Sequence, residues 1–162
     1  MRPLTAFERV RSLVFDLDTA AVPAEVRHFA ALLLLDTLGV AAASRDMQAA
    51  HIARETALDL YAARPGGPAA RLLFDGREAS VAGAAFAAAA QIDNLDAHDG
   101  YNPTKGHLGV VIIPALLTFA QNVAPLSGAE ALAALIAGYE VGARAGIALH
   151  ATVSDYHTSG AW

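Results

Sequence analysis

A chain of 162 residues can bury the core of one ordinary domain and is too short for two. Its net charge of -5, with no block of basic residues, excludes nucleic acid and anionic membranes as main partners, and the lack of cysteine excludes disulfides, thiolate metal sites and iron-sulfur clusters. The hydrophobic fraction of 55% comes with only 7% aromatic and 17% charged residues, a mixture that favours helices and predicts apolar surface covered by another subunit or by further chain.

The first helix is predicted to start near Thr5, where Thr5-Ala6-Phe7-Glu8 reads as a capping box, and to end by Asp18. Phe7, Val10, Leu13, Val14 and Leu17 follow helical spacing there. Pro23 suits a first helical position, and Val26, Phe29, Ala30, Leu33, Leu34 and Leu38 give a wide apolar face before Gly39. The four leucines at 32–35 predict burial on most sides. After a break at 44–46, a more polar third helix over 47–63 should turn Ile52, Leu58 and Tyr61 inward, and Pro65-Gly66-Gly67-Pro68 stops it. Residues 71–77 read as a short hairpin around Asp75-Gly76.

Ser80 is a good N-cap for a fourth helix reaching about Asp96, so rich in alanine that another helix can approach closely, which places it in the centre. A polar loop over 98–109 leads to an apolar helix over 110–123, closed by Pro125. Ser127-Gly128-Ala129-Glu130 is a second capping box, opening a long helix in which Ala134, Gly138, Gly142 and Gly146 recur every four residues. Each glycine inside a helix sacrifices about 1 kcal/mol relative to alanine, so the stripe predicts a crossing too close for a methyl group. The expected fold is all-α: one helical domain over 1–162, a bundle with an Ala/Gly-rich central helix pair and at most one short β-hairpin. The longest apolar uncharged stretches, 79–92 and 108–123, fall short of the roughly 20 residues of a membrane span, and the start has no signal core. A cytoplasmic protein without membrane contact is expected.

Ionisable groups concentrate between the fourth and fifth helices. Asp93 and Asp96 share one helix face at a carboxyl end, where like charge and the helix dipole each oppose them by a few tenths of a kcal/mol to about 1 kcal/mol. Acids kept in such a place can hold neighbouring His or Lys side chains, although an Asp-rich turn with Asx caps explains either one alone equally well. Lys105-Gly106-His107 precedes a helix, and Gly106 and Gly109 would let backbone N-H groups and cations converge on an anion such as a carboxylate. His98 is a second candidate beside Asp96 and Asp99, and His157 lies in a further polar loop, 154–160. A metal site from Asp96, His98, Asp99 and His107 would suit zinc or manganese, but the spacing matches no closed site and no metal is expected.

Four segments, in order, resemble the MmgE/PrpD family. Leu33-Leu34-Leu35-Asp36-Thr37-Leu38-Gly39-Val40 resembles its early LLDTLG helix. Asp96-Ala97-His98-Asp99, His107-Leu108-Gly109 and Ile113-Pro114-Ala115-Leu116-Leu117 are similar to its D-F-D-D-T, H-P-G and I-P-A-L sequence. Gly138-Tyr139-Glu140-Val141-Gly142-Ala143-Arg144 resembles GYEVAAR, and Tyr156-His157-Thr158-Ser159-Gly160 resembles F-H-P-T-G. The resemblance implies a lyase or isomerase, such as a 2-methylcitrate dehydratase, acting on small di- or tricarboxylates. It implies His107 and His157 as catalytic histidines and Asp96 as the residue that orients the site. Lys105, His98, Asp99 and Thr104 are expected to contact the substrate, and no cofactor is needed.

This chain departs from the pattern at His98, Asp99 and Gly100, and its loop to His107 is one residue longer. Family members are usually close to three times this long, with a second α/β domain that contributes lysines. The resemblance therefore implies the N-terminal helical part of such an enzyme, nearly inactive alone, acting as a homodimer or with a partner chain that carries the second domain. The competing reading is a non-catalytic helical assembly module built around the glycine stripe.

Overall fold

Short-range hydrogen bonds set where the helices begin. In the computed structural model, which describes residues 2–18, 20–122 and 126–153, the elements in order are α1 (Ala6–Phe15), α2 (Ala24–Ser44), α3 (Gln48–Leu60), β1 (Ala69–Arg71), β2 (Glu78–Ser80), α4 (Val81–Asp93), α5 (Gly109–Phe119) and α6 (Gly128–Thr152), with one 3-10 turn, Asn102–Thr104, before α5. The Glu8 N-H donates to Thr5 Oγ1 and the Thr5 N-H donates back to the Glu8 carboxylate, so α1 starts on its expected capping box. Ser127 and Glu130 make the same reciprocal pair at α6, and Ser80 Oγ accepts the Gly83 N-H at α4. The strands pair antiparallel, Ala69 opposite Ser80 and Arg71 opposite Glu78, so an otherwise all-α fold carries one hairpin, but its strands flank the expected span 71–77, most of which is the connecting loop.

The core is built on α4, which packs against α2, α3, α5 and the hairpin. Its inward residues are Gly83, Ala84, Ala87, Ala88, Gln91 and Ile92. With so little bulk, neighbouring backbones come close: a Cβ on Gly83 would lie 2.6 Å from Tyr61 Cβ and 2.9 Å from the Tyr61 carbonyl oxygen. The helices around it supply small residues in turn, Ala50, Ala53 and Ala57 from α3 and Ala41 from α2, with Ile92, Val110, Ile113 and Leu135 filling the wider spaces. On α6 the glycine stripe allows close contact at Gly138, where a Cβ would stand 2.8 Å from Ile112 Cγ2. Ala134 and Gly142 instead line a groove of about 570 Å³ between α1, α5 and α6.

Several expectations from the apolar pattern fail. The leucines of α2 are not buried all round: Leu35 is 66% exposed and Leu32 nearly half exposed, because the bundle lies along one side of that helix. Ile52 (59% exposed) and Tyr61 of α3 face outward, and Ala50, Ala53, Arg54 and Ala57 face in. At the distance α4 allows, an alanine fits the α3 interface and an isoleucine does not. Helix α2 runs through Gly39 to Ser44, whereas α3, α4 and α5 stop a few residues short of their expected ends. The apolar surface predicted from composition is present, with Phe7, Phe15, Phe29 and Phe119 all more than half exposed. Helices α2 and α6 are long and apolar enough to cross a membrane, but each carries charge well inside its length, Asp36 in the first and the Glu140–Arg144 ion pair in the second.

One polar side chain crosses this apolar interior. Arg54, buried on α3, donates to Gln91 Oε1 of α4 at 2.9 Å and to the Arg45 carbonyl after α2 at 2.7 Å, and lies 3.6 Å from the Asp75 carboxylate at the hairpin turn. Gln91 in turn donates to the Ala41 carbonyl at 2.6 Å. Removing Arg54 would leave Gln91 Oε1 and the Arg45 carbonyl without their donor while Asp75 keeps Arg77, so Arg54→Ala is expected to lower unfolding free energy by about 1–3 kcal/mol, read from urea denaturation. Asp75 has its own pH signature. Hydrogen bonds from Arg77, the largest cause, hold its carboxyl below the ordinary value of 3.8 against the opposing effect of burial. The stability it contributes is therefore complete above that value and is lost as pH falls through the lowered one. Asp75→Asn should flatten the acid limb of the stability curve in the same titration.

Candidate functional site

The segment between α4 and α5 is folded by its own backbone into a closed loop. Helix α4 ends at Asp93, so Asp96 does not share its face as expected but lies three residues beyond, in the left-handed region at φ 50°, a conformation that a short polar side chain tolerates. Further on, Tyr101 N-H donates to the Gly106 carbonyl at 2.8 Å, forming an isolated antiparallel bridge across the 3-10 turn, and Lys105, at φ 48°, closes it. Thr104 sits inside this bridge, fully buried, and its hydroxyl donates to the Tyr101 carbonyl at 3.2 Å. The doubling back returns His107 to the side of His98, their ring centroids 4.4 Å apart.

Asp99 fixes that arrangement from two ends. Its backbone carbonyl lies 2.8 Å from His107 Nδ1. A carbonyl can only accept, so Nδ1 carries the proton and Nε2 keeps its lone pair. The Asp99 carboxylate turns inward, where Oδ2 accepts the Gly109 N-H at 3.3 Å and Oδ1 shares a buried space with the Tyr139 hydroxyl from α6. A Cβ on Gly109 would collide with both oxygens. Burial first, and then the Asp99 charge, push the Tyr139 hydroxyl well above the usual phenol range, so it stays protonated.

His107 Nε2 lies 3.9 Å from Asp96 Oδ1, with 31% of the imidazole exposed and the Asp96 side chain 80% exposed. His98 differs: its side chain is 0% exposed, neither ring nitrogen has a hydrogen-bond partner, and its nearest acid is Asp93, 3.7 Å from Nε2. Burial, then repulsion by His107, lowers its pKa below 6.5 against the pull of Asp93, Asp99 and Asp96, so the ring is neutral at physiological pH. His107 also borders the apolar groove with Leu108, Val111 and Gly138, so the outward side of its ring faces both solvent and an apolar wall.

Of the residues expected to form a site, Asp96, His98 and His107 come together, and Asp99 supports them from behind with its carboxylate directed away from the opening. Lys105 is exposed at the loop's turn, and Thr104 lies inside the loop. His157 lies outside the described residues. Sequence reasoning expected Gly109 to turn its N-H toward a ligand carboxylate, whereas it donates to Asp99, and it missed Tyr139 as a position that shapes the site. A lone phenol within an alanine- and glycine-rich helix, with a glycine opening the helix opposite it, was the available signal. Chemically, the arrangement offers an oriented imidazole with an available lone pair beside a carboxylate, which suits proton abstraction or anchoring of a ligand.

The MmgE/PrpD N-terminal domain family matches residues 8–162, so the chain belongs to that family. Neither a curated protein nor a solved structure gives a significant match.

Gly109→Ala tests the support behind the histidine. The added methyl should drive the Asp99 carboxylate from its niche at a cost of about 1–3 kcal/mol and, by moving the Asp99 carbonyl, shift the His107 ring resonances in a histidine-selective NMR spectrum. A variant with wild-type His107 resonances would mean that Asp99 does not hold the ring.

Proposed function

We propose that this member of the MmgE/PrpD family is the histidine-bearing part of a lyase or isomerase that removes a proton next to a carboxylate in a small di- or tricarboxylic acid of the 2-methylcitrate type. The observation that carries the reading is His107: an imidazole whose Nδ1 is committed to the Asp99 carbonyl and whose Nε2 is free, partly exposed and beside Asp96. Abstraction at a carbon alpha to a carboxylate needs a base that works near neutral pH and groups that stabilise the enolate as it forms. On this reading His107 accepts the proton at Nε2 or anchors a carboxylate, Asp96 orients the ring, and His157 supplies the second catalytic imidazole. Tyr139 acts indirectly by holding the Asp99 carboxylate, and with it the loop, in place.

Local charge favours a site completed from elsewhere. Asp93 and Asp96 both stand at the opening, and carboxylates there repel an anionic substrate unless cations balance them. A partner chain or a second domain bearing lysines would provide that balance and would cover the apolar groove beside His107. A homodimer, or a complex with such a chain, in the cytoplasm is part of the proposal.

The test is binding of citrate and 2-methylcitrate to the chain in the presence of a chelator, followed by calorimetry and by His resonances. The wild type should bind weakly, and His107→Ala should weaken binding about tenfold or more, since a charge-assisted hydrogen bond is worth roughly 1.5–3 kcal/mol. Equal affinity in the two proteins would remove the reading. In a complex that turns over, His107→Ala should lower the rate by about 10²- to 10⁴-fold.

A further inference from the structure

We propose that Asp96, His98 and His107 form a binding site for one divalent transition-metal ion of the zinc type, with a coordination position left open to solvent. One ligand atom from each residue lies within 4.8 Å of the others. Sequence spacing alone matched no metal site; the Tyr101–Gly106 bridge is what brings the donors together.

His98 carries the argument. A fully buried imidazole with no partner on either nitrogen is costly, because each polar atom withdrawn from water without a hydrogen bond loses about 1–3 kcal/mol. Packing alone would be served as well by a leucine. An ion at the mouth of the loop would give the ring a partner and account for an imidazole at this place. His107 has the corresponding preparation: a backbone carbonyl on Nδ1 fixes the ring and its tautomer, which is the usual outer support of a metal-binding histidine.

The donor set then selects the ion. Two imidazoles and one carboxylate suit zinc, cobalt, nickel or iron(II) better than magnesium or calcium, which favour all-oxygen ligands. A tetrahedral ion with bonds of about 2.0–2.1 Å holds its ligands roughly 3.3 Å apart, so each donor has to move inward by roughly 0.8 Å from the present spread. Asp96 is exposed enough to rotate in, and Asp93, 3.7 Å from His98, adds negative charge that attracts a cation. Three protein ligands with an exposed side resemble an open site in which water or a ligand oxygen takes the fourth position.

The ion and a proton would compete for the same His107 lone pair. The metal-loaded chain therefore loses His107 as a base, and zinc should inhibit any reaction that depends on it. The site itself stands apart from the polycarboxylate reading, because metal binding is measured without substrate, and substrate binding with chelator present.

The experiment is titration of the chelator-treated chain with Co²⁺, followed by its visible ligand-field absorption, with Zn²⁺ as competitor. The expected result is one ion per chain, displaced by Zn²⁺. His98→Ala and His107→Ala should each lose about 100-fold in affinity and Asp96→Asn about tenfold, while His28→Ala on exposed α2 keeps wild-type affinity. Circular dichroism checks folding, and if His98→Ala does not fold, the exposed Asp96→Asn carries the test. Absence of a one-to-one complex in the wild type, or wild-type affinity in the folded Asp96 and His98 variants, overturns the proposal.

Discussion

The near absence of side-chain bulk on α4 constrains everything packed around it. Methyl groups and bare Cα atoms at Gly83, Ala84, Ala87 and Ala88 let α3 and α5 pack close, at Gly83 until the backbone of Tyr61 at the end of α3 limits the distance. Such a surface gives close contact and little direction, because a row of alanines packs almost equally well after a shift along the axis. The direction comes from Arg54. Its guanidinium reaches Gln91, the Arg45 carbonyl and Asp75 together, and Gln91 reaches the Ala41 carbonyl, in one register only. A buried charge that costs several kcal/mol if unpaired thereby excludes the neighbouring registers.

Close packing of α4 against α5 also dictates how the site is built. With the two helices side by side, the connection from Asp93 to Gly109 has to fold back on itself rather than bridge a distance. The loop does so around Asp99, whose carbonyl and carboxylate hold opposite ends of the turn, at His107 and at Gly109. The carboxylate can enter only because residue 109 has no Cβ, and it is met there by a phenol from α6. Placement of His107 thus depends on three elements, and a change of one methyl group at the start of α5 reaches the imidazole without touching it.

This dependence explains what the sequence disclosed. Helix starts at Thr5 and Ser127 were legible because a capping box is complete within four residues, and that at Ser80 because one side-chain cap suffices, whereas the hairpin was legible only as a turn near Asp75-Gly76, its strands lying just outside the expected span. Facing directions were less so. Leu35 and Ile52 read as core by periodicity, yet which side of a helix is buried depends on neighbours that a hydrophobic pattern does not name, and beside an alanine surface the smaller residue goes inside. In the site, the density of Asp and His between two uncharged helices pointed to Asp96, His98 and His107. The inward turn of Asp99 stayed hidden, since it is decided by Gly109 and by Tyr139 far along the chain. The burial of Thr104 follows likewise from a bridge between Tyr101 and Gly106 that no local signal announces.

The two histidines end in opposite electrostatic situations although their rings nearly touch. His107 meets solvent, the Asp96 carboxylate and the Asp99 carbonyl. His98 meets apolar walls and another imidazole, which favour neutrality. On the proposal of a metal site, an ion shared between the rings would give the buried His98 imidazole the partner it lacks. Position 98, where the chain departs from the family pattern, would then supply the buried ligand, and an ion there would take the lone pair that proton abstraction by His107 needs.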